Sequence, residues 1–165
     1  MKISMLIVSQ NVTHYDLPIP KNAIFRINLA WVNSINALEK LLKSNQEHSI
    51  FLDLPVNRTK PPNNKYSLEE IIEIIKNNQN IKYFAISNVE SKNDLIKYLE
   101  ILPKSVTLVP KIESHRAVEN ILEIANALDY ESRVFMLDHD DLYSNLLKSN
   151  LPPEKFTFYI NQLSE

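Results

Sequence analysis

The sequence predicts an α/β fold, an incomplete TIM-type (β/α) barrel of about seven parallel strands. Three observations point there. Short apolar runs alternate with longer stretches whose apolar residues recur at helical spacing, the rhythm of a parallel sheet covered by helices. Seven such runs can be counted, whereas a closed barrel needs eight strands and usually about 250 residues, and this chain has 165. No low-complexity linker or further repeat divides it, so residues 1–165 read as one domain.

The strands are expected at 2–9, 23–28, 49–54, 83–87, 107–113, 133–138 and 157–161, each a run of β-branched, aromatic or leucine side chains. The helices are expected at 32–44, 67–77, 91–102, 117–128 and 141–148. The second is the clearest. Ser67-Leu68-Glu69-Glu70 is a capping box, and Ile71, Ile72, Ile74 and Ile75 follow at helical spacing. Residues 59–65 read as an exposed loop. A parallel sheet that stops short of closure leaves an unpaired edge, so a homo-oligomer, or a partner that completes the barrel, is expected.

Composition removes several function classes. With a formal charge of −2 and no basic stripe interleaved with aromatics, nucleic acid is not an expected partner. Cysteine is absent, which excludes disulfides and thiolate chemistry. Glycine is absent too, where average usage is about 7%. That excludes the phosphate-cradling loops that need glycine for close backbone approach. Met5-Leu6-Ile7-Val8 is too short for a signal segment, and no stretch approaches the roughly 18 apolar residues of a membrane span. The expected location is cytoplasmic, with no membrane association.

The chemistry concentrates between Val109 and Leu142. One apolar strand ends in Lys111-Ile112-Glu113, and the next ends in Asp138-His139-Asp140-Asp141. Acids at two neighbouring strand ends can clamp a divalent cation, Mg²⁺ or Mn²⁺, and a lysine beside them can neutralise a developing anion. The i, i+2 spacing of Lys111 and Glu113 puts both side chains on one face of the strand. One of the three aspartates is expected to cap the following helix. Arg26, in an apolar strand, needs a carboxylate partner, and Asp53 and Glu113 are the candidates. Trp31 reads as a packing or pocket-wall residue. None of His14, His48, His115 and His139 has metal-ligand spacing, and only His139 falls near the acidic cluster.

Several of these segments, taken in order, resemble the catalytic barrel of pyruvate kinase. Arg26-Ile27-Asn28-Leu29, Phe51-Leu52-Asp53-Leu54 with Arg58-Thr59, Phe84 to Val89, and Lys111 to Ile124 follow the family's second, third, fourth and fifth segments. Asp141-Leu142 and Phe158 to Leu163 fall where later ones would lie. The resemblance implies that Glu113 and Asp141 bind Mg²⁺ or Mn²⁺, while Lys111 and Arg26 are catalytic, facing the phosphoryl group and the enolate oxygen. It implies that Asn28 and Asp53 help hold a monovalent cation such as K⁺, that Arg58 faces a nucleotide, and that Asn161 receives the substrate carboxylate.

The departures shape the functional expectation. Only residues 59–65 stand where the family has its lid domain, so none is expected here. Asp140 adds negative charge where an anionic substrate would dock, a cost of roughly a few kcal/mol in a dry site. Efficient phosphoryl transfer is therefore not expected. The chain reads as a minimal or degenerate metal-dependent protein acting on pyruvate, phosphoenolpyruvate or another small anionic 2-oxo acid. The alternatives are a metal-dependent aldolase or lyase of the same superfamily, and a non-catalytic barrel kept as a binding or assembly module.

Overall fold

The computed structural model describes residues 7–9, 19–56, 62 and 64–164. Among them are six strands: β1 (Ile7–Ser9), β2 (Ile24–Asn28), β3 (Ser49–Leu54), β4 (Ile81–Ile86), β5 (Thr107–Ile112) and β6 (Met136–Leu137). Their order in the sheet is β1-β2-β3-β4-β5-β6, with β1–β2, β2–β3 and β5–β6 pairing in parallel. Seven α-helices accompany them: α1 (Ile35–Ser44), α2 (Leu68–Asn77), α3 (Asn93–Ile101), α4 (His115–Glu119), α5 (Ile121–Ala127), α6 (His139–Lys148) and α7 (Lys155–Ser164). The α/β class holds, and the count of about seven strands is corrected to six. No helix among the described residues is long and apolar enough to cross a membrane.

The chain forms two compact units. The first spans residues 1–85 and 103–106, and its core is made by Ile27, Ile50 and Leu52 of the strands with Leu38, Ile71 and Ile75 of the helices. Burial of successive strand residues, as in Phe51-Leu52-Asp53-Leu54, is what a parallel strand covered on both faces requires. After β2, Asn28 accepts a hydrogen bond from the Ala30 N–H and closes a 3-10 turn over Leu29–Trp31. Leu29, Ala30 and Val32 are buried. The Tyr66 hydroxyl pins this turn by donating to the Val32 carbonyl at 2.6 Å. Trp31 is left 56% exposed, so it is not the packing residue expected.

The second unit comprises residues 86–102 and 107–165. Leu108, Val109 and Ile112 of β5 are buried with Leu95, Val118, Ile124, Leu142 and Leu146 of its helices. One expected helix is split. Ser114 caps α4 by accepting from the Ala117 N–H, which starts the helix at His115. Asn120 then interrupts it, its amide donating to the Glu90 carbonyl at 2.8 Å. Helix α6 ends in a Schellman motif: Leu151 N–H donates to the Leu146 carbonyl, Asn150 N–H to Leu147, and Asn150 has φ 55°.

The seventh strand expected at 157–161 is instead part of α7. Thr157, Phe158, Tyr159 and Ile160 have strand-forming side chains, but the less exposed positions are Phe156, Tyr159, Ile160 and Leu163, at i, i+3, i+4 and i+7. Pro152 and Pro153 precede the helix and accept from the Lys155 and Phe156 N–H groups. Tyr159 reaches α4, where its hydroxyl donates to Glu119 Oε1 at 2.8 Å. Packing on the helical period thus overrides strand propensity.

The capping box of α2 is complete, with Glu70 N–H donating to Ser67 Oγ and Ser67 N–H to Glu70 Oε2. Ser67→Ala is expected to lower unfolding free energy by about 1 kcal/mol, and Ser67→Asp to retain most of it. Urea titration checks this as a shifted midpoint at unchanged slope.

Candidate functional site

The site residues of the second unit come together because of the sheet register. Lys111 pairs with Met136 and Ile112 with Leu137, so the strands deliver Glu113 and Asp138 side by side just past their carboxyl ends. The Asp138 N–H continues the ladder by donating to the Ile112 carbonyl at 3.2 Å. Asp138 is also the cap of α6, its Oδ1 accepting from the Asp141 N–H at 3.4 Å. That capping brings Asp141 into the first turn beside it.

Lys111 is 6% exposed and Glu113 is 6% exposed. The Lys111 ammonium lies 2.7 Å from Glu113 Oε1 and 3.7 Å from Asp138 Oδ2, and it donates to Ser87 Oγ at 3.3 Å. The second oxygen of Glu113, Oε2, accepts from the Asn88 N–H at 2.7 Å. Asn88 has φ 55°, a left-handed backbone that asparagine tolerates better than most residues. Ser87 and Asn88, which follow β4, thus hold both ends of the Lys111–Glu113 pair.

Glu113, Asp138 and Asp141 each offer a carboxylate oxygen, and these lie within 4.8 Å of one another. Carboxylate oxygens are the donors that Mg²⁺ and Mn²⁺ prefer, and Mg²⁺ holds its oxygen ligands at about 2.0–2.1 Å. The residues present therefore fit a divalent cation.

Burial pushes the Glu113 carboxyl above the ordinary glutamate range; the charge and hydrogen bond of Lys111 and the Asn88 N–H pull the other way, while Asp138 adds to the rise. Folded Glu113 thus takes up its proton at higher pH than in the unfolded chain. Between the ordinary glutamate range and the raised value, the native state holds more protons, so Glu113 makes stability fall as pH rises through that window. Glu113→Gln cannot ionise and lacks this slope. The wild-type advantage over Glu113→Gln should be greatest at the acid end of the window and shrink as pH rises. Urea titrations across pH check the sign, and an advantage that grows with pH would refute it.

The other expected site residues sit elsewhere. Arg26, Asn28 and Asp53 belong to the first unit, where β2 and β3 pair Asn28 with Asp53. Arg26 donates from Nε (3.2 Å) and Nη2 to Asp53 Oδ2, and from Nη1 to Ser9 Oγ at 3.4 Å. The Asp53 side chain is 1% exposed. Asn28 Oδ1 is engaged by the Ala30 N–H. Asn161 stands exposed on α7 rather than at a strand end, which corrects its expected role as a carboxylate receptor. Arg58 lies outside the described residues. Asp140 and His139 pair with each other at 2.9 Å on the surface, with side chains 91% and 68% exposed.

Asp138 belongs to the acidic cluster expected from the sequence, whereas Ser87 and Asn88 are site residues that the sequence does not single out. Ser87 is readable from its position at a strand end, but Asn88 contributes through its backbone and leaves no side-chain signature.

No family model matches the chain, and no curated protein matches it. Solved structures do. The crystal structure of RipC from Yersinia pestis is similar with a TM-score of 0.60 at 15% identity, over 96% of this chain and 67% of that one. This likeness concerns the fold alone. Together with the six-stranded sheet and the helical α7, it overturns the assignment to the pyruvate kinase barrel. The short matches behind that assignment lie mainly at strand ends and helix starts, where any parallel α/β chain needs similar residue types.

The Arg26–Asp53 pair allows a separate test. Asp53→Asn leaves a partly buried guanidinium without its counter-charge and should cost up to about 3 kcal/mol, whereas the double variant Arg26→Met/Asp53→Leu should lose far less. A double-mutant cycle by urea unfolding measures the coupling.

Proposed function

We propose that the second unit carries a divalent-metal site for a small anionic 2-oxo acid whose enolate form it would stabilise. The observation that supports this most is the buried Lys111 ammonium set among Glu113, Asp138 and Asp141 at the carboxyl ends of two parallel strands, the position where ligands of open α/β sheets bind. Glu113, Asp138 and Asp141 would hold Mg²⁺ or Mn²⁺, which, when bound, polarises the carbonyl and carboxylate oxygens of the acid. The Lys111 ammonium, between two carboxylates, would offset charge that develops on the enolate oxygen. Ser87 and Asn88 keep Lys111 and Glu113 in place while that charge moves.

A second reading is favoured by one distance. At 2.7 Å, Lys111 already satisfies Glu113, and the cluster then serves as a closed ion network in a non-catalytic binding module. Thermal melts with Mn²⁺, with and without oxalate as a stand-in for the enolate, separate the two. Ligand at 100 times Kd stabilises by about 2.7 kcal/mol. A Mn²⁺-dependent oxalate shift that disappears in Asp141→Asn is the expected result. No shift under any combination would leave the ion network.

A further inference from the structure

Asn145 lies four residues beyond Asp141 on α6, on the same helical face. Its Oδ1 faces two groups of His115: the backbone N–H at 3.3 Å and ring Nδ1 at 2.8 Å. A backbone N–H can only donate, so the atom facing it is the oxygen of the amide. That oxygen accepts, so Nδ1 must carry the proton. The hydrogen bonds thus settle both the orientation of the Asn145 amide and the tautomer of His115.

We infer that Asn145 is a positioning residue: by gripping His115, it ties α6 to the first residue of α4 and so sets Asp141 and Asp138 opposite Glu113. The inference rests on the metal-site reading for its functional consequence, but not for its geometry. Three features make the grip stiff. His115 is only two residues beyond Glu113, and the Ser114 side chain between them caps α4. The His115 ring also lies against Tyr159 of α7, at 6.3 Å between centroids, so it is held on a second side. The two bonds to Asn145 restrain both the backbone and the ring of the same residue. Groups bonded directly to a metal ligand contribute about 10–100-fold to metal affinity, and Asn145, acting one residue further out through His115, is expected at the lower end of that range.

The test compares Asn145→Leu, close in shape but without an acceptor, with Asn145→Asp, which keeps one. Two readouts are taken: the Mn²⁺ dissociation constant, and the ¹⁵N resonances of the His115 ring together with the amide resonances of Asp138 and Asp141. Wild type and Asn145→Asp are expected to show the Nδ1–H tautomer and comparable Mn²⁺ binding. Asn145→Leu is expected to lose that tautomer, to move the Asp138 and Asp141 amides, and to weaken Mn²⁺ by about 10-fold or more. Unchanged affinity and tautomer in Asn145→Leu would overturn the inference. If the wild type binds no Mn²⁺, the metal reading falls, and the inference is decided by the tautomer and the two amides alone.

Discussion

The ammonium of Lys111 is the constraint that organises the second unit. A charge buried to this degree costs several kcal/mol unless its surroundings compensate for it. Compensation here comes from three places: Glu113 just past the end of β5, Asp138 just past the end of β6, and Ser87 after β4. Each of those elements must therefore end where it does. The β5–β6 register, the entry angle of α6 through the Asp138 cap, and the left-handed turn at Asn88 all serve the same few atoms. Around them, Val109, Ile112, Val118 and Leu142 seal the apolar interior and keep the local dielectric low enough for the pairing to be strong.

Arg26 and Asp53 in the first unit offer a contrast. There the buried Asp53 carboxylate meets the Arg26 guanidinium. Around Lys111 the oxygens of three carboxylates gather within 4.8 Å of one another, and that clustering is what marks a cation-binding candidate. Both arrangements place a basic and an acidic residue at strand ends, so residue type alone would not separate them.

This difference shows how far the sequence can be read. The strand 49–54 and the capped helix α2 are plain in it, because periodicity and capping are local signals. So is the shared face of Lys111 and Glu113. The expected strand at 157–161 was misread because β-forming side chains also sit on a helical period there, and tertiary packing chose between them. The contribution of Asn88 was hidden for a different reason: what matters is the direction of its N–H, and any residue has one. Asp138 was readable as a helix cap, yet its two oxygens do separate tasks, one capping and one facing Lys111. The resemblance to a known barrel misled for the same reason, since local motifs carry local requirements rather than ancestry.

Asn88 and Asn150 occupy left-handed positions that glycine fills at lower steric cost, in a chain without any glycine. The consequence reaches the unfolded ensemble. A glycine replaced where the native backbone tolerates a side chain leaves fewer unfolded conformations to lose, worth about 0.4–1 kcal/mol per site. A glycine-free chain of 165 residues is therefore stiffer before it folds, and part of its native stability resides in conformations that the unfolded polypeptide never visits.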